Sequence, residues 1–256
     1  MADEGRNPVR TENPDGAGPF VIVCDHASNR LPREYDTLGL SPDALLSHIA
    51  WDPGALPVSR ALSAMLDAPL LWPDASRLIV DCNRDPGAPD LIVAESEGRA
   101  VPGNRDVGEG ERVRRLGAIH VPYHNAIDRC LESRTGSGRA TAVVAVHSFT
   151  PVYLGRSRPW EIGIVFDEDR RLADSLIAAL KADPTLNVGV NQPYSPADRV
   201  YYTLTRHARP RGLSAVMIEI RNDLIANGAG QKAWADRLGA ILASLSPVVT
   251  GEVHAA

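Results

Sequence analysis

Cysteine is scarce in this 256-residue chain, and Cys24, Cys82 and Cys130 form no C-x-x-C pair. An odd count without paired spacing argues against a disulfide framework or a zinc ribbon and fits reduced thiols in the cytoplasm. No apolar run comes near the roughly 20 residues needed to cross a bilayer, so no membrane is expected. Met1 to Gly18 is polar and lacks an apolar h-region, which reads as a flexible N-terminal arm rather than a signal peptide. Arginine far outnumbers lysine but is scattered, and the net charge is −5, so the footprint of a nucleic-acid binder is missing. There is no G-x-S-x-G nucleophile elbow, no G-x-x-x-x-G-K-[ST] and no G-x-G-x-x-G. Those absences leave serine hydrolysis and nucleotide-phosphate binding without support.

What is present is an ordinary globular composition, 44% hydrophobic and 23% charged. Residues 19–256 are enough for one large domain that buries its own core, so a metal in this chain is expected to be catalytic rather than structural. Short apolar runs alternate with helical patterns. The strands expected are Phe20 to Cys24, Leu78 to Val80, Ala142 to Val146, Ile162 to Phe166, Leu186 to Val190 and Ala215 to Ile218. Helices are expected from Ser41, with Pro42 at the first helical position, and over Gly54 to Leu66. Others are expected over Glu109 to Glu132 with an interruption near Pro122, Asp169 to Ala182, and Ala229 to Leu245. Gly87 to Gly108 is a long Gly/Pro/Asp-rich loop, of the kind that is usually functional. The pattern predicts an α/β fold: three layers, a mostly parallel or mixed central sheet, helices on both faces.

Four of the apolar runs end in reactive side chains: Asp25-His26-Ala27-Ser28-Asn29, Asp81-Cys82-Asn83-Arg84, His147-Ser148, and Glu219-Ile220-Arg221. Taken singly, each has a structural explanation as a cap, a turn or a local ion pair. Packing alone does not require the coincidence to repeat at four carboxyl ends, which is where open α/β sheets bind their ligands. Two imidazoles and a carboxylate suit Zn²⁺ or another divalent metal with one position open to water. A glutamate can move a proton, and arginines can polarise a carbonyl or grip a carboxylate.

Five segments, in this order, resemble the N-formylglutamate amidohydrolase family. They are Val23 to Pro32 (VCDHASNRLP), His48 to Ala55 (HIAWDPGA), Ser76 to Pro86 (SRLIVDCNRDP), Val146 to Pro151 (VHSFTP) and Ile218 to Asp223 (IEIRND). The resemblance implies a zinc-carboxypeptidase-like fold and a metal-dependent hydrolase acting on the amide of a small N-acyl amino acid, such as N-formyl-L-glutamate. The resemblance further implies that His26 and His147 are metal ligands, that Asn83 and Arg84 bind the substrate carboxylate, that Arg77 polarises the carbonyl, and that Glu219 is the general acid/base. Related zinc enzymes carry a glutamate three residues after the first histidine, where this chain has Asn29. Asp52 is the candidate for the missing anionic ligand, or else it caps the helix that follows Pro53. Arg158 and Arg206 are candidates for a second substrate carboxylate, and Tyr201 and Tyr202 for closing over the substrate. The partner expected is a small molecule, with the protein a monomer or small homo-oligomer. A carboxypeptidase-like or other amidase on the same scaffold is the alternative enzyme, and a metal-free carboxylate-binding protein the alternative outside enzymes.

Overall fold

The computed structural model describes residues 7–251. Seven strands form one sheet: β1 (Val9–Glu12), β2 (Phe20–Val23), β3 (Leu70–Pro73), β4 (Ala142–Phe149), β5 (Ile162–Val165), β6 (Val188–Val190) and β7 (Ser214–Arg221), in the order β1-β3-β2-β4-β7-β5-β6. The sheet is mixed. The β1–β3 and β7–β5 pairs are antiparallel, and the other neighbours run parallel. Strands β2 and β4 are buried along their whole length, as expected for parallel strands covered on both faces.

Side chains alternate between two cores. Ile22, Val144, Ile164 and Ile218 pack with α2 (Ala55–Met65), α5 (Arg171–Lys181) and α7 (Gly228–Ser244). Val23, Val143, Ala145 and Met217 pack with α4 (Val121–Gly136) and α6 (Tyr202–His207). The chain leaves β2 toward β3, then returns past β2 to β4. The crevice at this reversal, beyond the carboxyl ends of β2 and β4, is where such sheets bind ligands.

Two expectations need correction. Residues 1–18 were expected to be a flexible arm. Residues 1–6 lie outside the described residues, but Val9–Glu12 is the edge strand β1, registered against Leu70–Pro73. Arg134 also donates to the carbonyls of Gly16 and Gly18, which holds the approach to β2 in place.

Leu78 to Val80 is not a strand. Ile79 N bonds back to Ser76 O at 3.0 Å, and the segment lies buried across the second core as a turn. Its carbonyls are satisfied by long side chains instead of a neighbouring strand: Asn104 donates to Leu78 at 2.8 Å and Arg115 to Ile79 at 3.1 Å. A buried apolar run can therefore avoid a sheet when distant donors reach its backbone.

The strand that fills the expected place is β3, just upstream. The helix expected over Glu109 to Glu132 is interrupted near Pro122 as expected: α3 (Glu109–Arg115) passes through a π turn at Leu116–His120 before α4. Pro122 has no amide hydrogen to donate, and a widened turn accommodates the loss. The short helix α1 (Pro42–Leu46) starts as expected, with Ser41 Oγ accepting from the Ala44 amide.

Gly54 begins α2 with φ +83°, and a Cβ there would overlap the carbonyl oxygen of Ile225. Gly54→Ala is expected to destabilise the fold by more than about 1 kcal/mol, read as a lower denaturation midpoint with unchanged slope.

Candidate metal centre

Beyond β2 the chain turns through Asp25 and His26. The amide of Asp52 bonds to the carbonyl of His26 at 2.9 Å, which locks the entry to α2 against this turn. In the neighbouring strands, His147 and Glu219 lie directly opposite each other in the parallel register of β4 and β7. Neither residue lies past its strand as the sequence suggested; both are inside it, near the carboxyl end.

Asp52 Oδ2 lies 2.8 Å from His147 Nδ1 and 3.4 Å from His26 Nδ1. The other nitrogen of each ring faces a different carboxylate: His26 Nε2 is 2.7 Å from Asp81 Oδ1, and His147 Nε2 is 2.9 Å from Asp25 Oδ2. Carboxylates that accept from Nε2–H leave both Nδ1 lone pairs directed at one point. This is the outer support that orients histidine ligands in metal sites. Donor atoms of His26, Asp52 and His147 all fall within 4.8 Å of one another, and all three residues are buried. They could hold a divalent cation.

The supporting carboxylates are themselves fixed. Asp25 accepts from Tyr123 Oη at 2.9 Å and Thr203 Oγ1 at 2.7 Å. Asp81 accepts from the Asn83 amide at 2.8 Å and from Arg77 Nη2 at 2.8 Å.

The electrostatics agree with a cation site. Burial alone would raise the carboxyl of Asp25, but the bond and charge of His147 and the charge of His26 hold it down at about 2. Burial likewise opposes the charged form of Asp52, and the two histidines hold it well below the usual carboxylate range. His147 goes the other way. Burial disfavours its charge, yet Asp25 and Asp52 hold it well above the ordinary histidine value. Without a cation, a proton on His147 Nδ1 must separate it from Asp52. A metal ion would take that proton's place.

Glu219 is 4% exposed, and its Oε2 has no hydrogen-bond partner among the described residues. Burial, with the charge of Asp52 adding to it, pushes its carboxyl up to about 7, although His147, His26 and Arg77 pull the other way. A buried carboxylate oxygen without a partner, beside two imidazoles and an aspartate, fits a centre that holds a metal and its water.

All seven residues expected from sequence, His26, Asp52, Arg77, Asn83, Arg84, His147 and Glu219, line one cavity of about 280 Å³. Arg77 bridges two carboxylates there, Asp81 at 2.8 Å and Asp52 at 3.5 Å. Arg84 Nε pairs with Asp90 at 3.0 Å, and Nη1 reaches the carbonyls of Asn83 and Arg199. Asn83 is engaged at both ends of its amide, donating to the Val200 carbonyl and accepting from the Thr203 amide at 3.1 Å. The long loop also contributes, through Asp90, Val93, Glu95, Ser96 and Glu97.

Other candidates lie elsewhere. Asn29 is not in the cavity wall; its amide donates to Leu45 O at 3.0 Å. The Asp52 side chain points at the histidines and does not cap α2. Tyr201 is buried in the second core, and Tyr202 packs on His120 and His124.

Asp25 and Asp81 are the residues whose roles the sequence did not disclose, although both stood in the polar clusters at the ends of the apolar runs. The missing signal is which ring nitrogen each would meet.

Two measurements follow from this geometry. Asp81→Asn is expected to weaken zinc binding about 10–100-fold in a chelator competition, by removing the acceptor that turns His26. In the metal-free protein, the raised carboxyl of Glu219 contributes stability that is complete below its ordinary 4.5 and lost as pH rises through about 7. Denaturation across that window should show this loss in the wild type and not in Glu219→Gln.

A family model described as N-formylglutamate amidohydrolase matches residues 18–226. Among solved structures, a gene product from Agrobacterium tumefaciens is 46% identical, with 96% of this chain and 98% of that one covered and a TM-score of 0.91. The N-formylglutamate amidohydrolase of Ralstonia eutropha JMP134 shares the fold at 20% identity, with 97% and 100% covered and a TM-score of 0.71. A metallo-carboxypeptidase from Burkholderia cenocepacia aligns with 99% of this chain and 64% of its own at 12% identity and a TM-score of 0.37. No curated protein matches the chain. On the match over residues 18–226, the chain belongs to the N-formylglutamate amidohydrolase family.

Proposed function

We propose that this amidohydrolase cleaves the formamide of a small N-formyl amino acid, N-formyl-L-glutamate, with a divalent metal, Zn²⁺, held by His26, Asp52 and His147. The observation that carries the reading is the Oε2 of buried Glu219, which has no hydrogen-bond partner among the described residues and belongs to the cavity that the triad lines. A carboxylate binder would have no use for such a group, whereas hydrolysis needs a proton carrier there. The three cysteines are all free, which fits action in the reducing cytoplasm. No helix among the described residues is long and apolar enough to cross a membrane.

A divalent ion held by His26, Asp52 and His147 would supply Lewis acidity, for a carbonyl oxygen and for the ionisation of a water. The protein residues do the rest. Glu219 takes a proton from the attacking water as its oxygen bonds to the formyl carbon. It then delivers that proton to the amide nitrogen as the C–N bond breaks, releasing formate and the free amine. Burial suits Glu219 to both halves of this transfer, because a carboxyl raised toward neutral pH gains and loses a proton readily. Arg77, held by Asp52 and Asp81, presents its remaining N–H groups to the oxygen that becomes negative. Arg84 and the free N–H of Asn83 grip the α-carboxylate. Their ties to Asp90 and to residues 199–203 fix the distance from that grip to the metal.

The test is zinc content together with hydrolysis of N-formyl-L-glutamate. The double variant His26→Ala/His147→Ala should lose both. Glu219→Gln should keep the metal and lose about 10²–10⁴-fold in kcat. The α-carboxamide analogue should be a poor substrate; comparable turnover of it would remove Arg84 from this role. Failure of the wild type to take up zinc when it is supplied would end the metal reading.

A further inference from the structure

Arg158 is 9% exposed, and no carboxylate pairs with it among the described residues. The other buried arginines differ. Arg115 pairs with Glu111 at 2.7 Å, and Arg134 is bonded to backbone carbonyls. A buried cation without a counter-ion is costly, and evolution generally pairs it or keeps it for a ligand.

The guanidinium of Arg158 lies 4.3 Å from the ring of Tyr153, 4.8 Å from that of Tyr194 and 5.9 Å from that of Phe149. These aromatic faces offset part of the desolvation but satisfy none of its N–H groups. Its single hydrogen bond among the described residues runs from Nη1 to Tyr194 Oη at 3.1 Å. Tyr153 and Tyr194 both line the catalytic cavity. The hydroxyl of Tyr194 accepts from Arg158 and has no described acceptor for its own proton. Burial and the charge of Glu219 push its ionisation up to about 12, so it stays a donor.

The geometry points to Arg158 and Tyr194 as a second anion subsite, which takes the side-chain carboxylate of a dicarboxylic N-acyl amino acid while Arg84 takes the α-carboxylate. This rests on the hydrolase reading above and adds to it the side-chain specificity. A planar guanidinium matches a carboxylate with two parallel bonds, and the tyrosine hydroxyl adds a third donor. A neutral side chain would leave the buried cation uncompensated, so the subsite rejects as well as attracts. Two acidic groups of that cavity wall are already paired, Asp90 with Arg84 and Glu97 with His48. Arg206, the other arginine considered from sequence, is unsuited. Its side chain is 39% exposed, it bonds Tyr202 Oη at 3.1 Å, and it lies 3.8 Å from Asp128.

The experiment compares N-formyl-L-glutamate with N-formyl-L-glutamine, and separately compares binding of glutarate with binding of its monoamide by calorimetry. Wild type, Arg158→Met, Arg158→Lys and Tyr194→Phe are measured in each. The wild type should prefer the charged member of both pairs by about 10–100-fold. Arg158→Met should abolish the preference by losing only the charged ligand, Arg158→Lys should retain part of it, and Tyr194→Phe should reduce it. An equal loss on both members of a pair, or an undiminished preference in Arg158→Met, overturns the assignment. If Arg158→Met does not fold, an undiminished preference in both remaining variants overturns it. A wild type that hydrolyses no N-formyl amino acid breaks the hydrolase reading alone, and the glutarate preference still decides Arg158.

Discussion

One carboxylate oxygen organises this site. Asp52 Oδ2 faces the Nδ1 atoms of two histidines, and each histidine is turned into that position by a carboxylate on its far side. The arrangement works only if the proton of each ring is on Nε2. Asp25 and Asp81 supply the acceptors that make this tautomer the stable one. The tyrosine and threonine on Asp25, and the arginine on Asp81, then fix the acceptors. The geometry of the candidate metal site is therefore set by residues that would not touch a metal held there.

Gathering Asp25, Asp52, Asp81 and Glu219 in one buried cluster would be prohibitive without positive charge. His26, His147 and Arg77 supply it, and three of the four carboxyls respond by staying ionised. Glu219 is the exception, because it has no hydrogen-bond partner on Oε2 and burial outweighs the nearby cations. The same cluster thus contains carboxylates held in the charged form by their neighbours and one able to exchange a proton. That contrast is the usual way in which neighbouring groups acquire different acid–base roles.

The scaffold holds these parts by irregular means as well as regular ones. Register in the β4–β7 pair puts His147 beside Glu219, and the reversal of strand order opens the crevice in front of them. The wall carrying Arg77, Asp81, Asn83 and Arg84 is different. It follows a buried turn whose carbonyls depend on Asn104 and Arg115, from the long loop and from α3. A functional wall built on side-chain-to-backbone bonds can place several polar groups close together, which a straight strand with alternating faces cannot.

The sequence by itself determined the sheet's central strands, since uninterrupted apolar runs such as Ala142 to Val146 have no stable place except between two covered faces. It also determined the residue types able to hold a metal and move a proton, because His26, His147 and Glu219 follow or end such runs, while Asp52 came into view through the family resemblance. Leu78 to Val80 shows where this reading stops: its composition is that of a strand, and only distant donors make it a turn. The same is true of the Nε2 partners, which lie 55 residues from His26 and 122 from His147. Tertiary structure alone paired those rings with Asp81 and Asp25, put Asp52 and not Asn29 beside them, and left Arg158 buried without a carboxylate among the described residues. Periodicity records which face a side chain occupies, whereas these outcomes depend on which distant groups meet it there and through which atom.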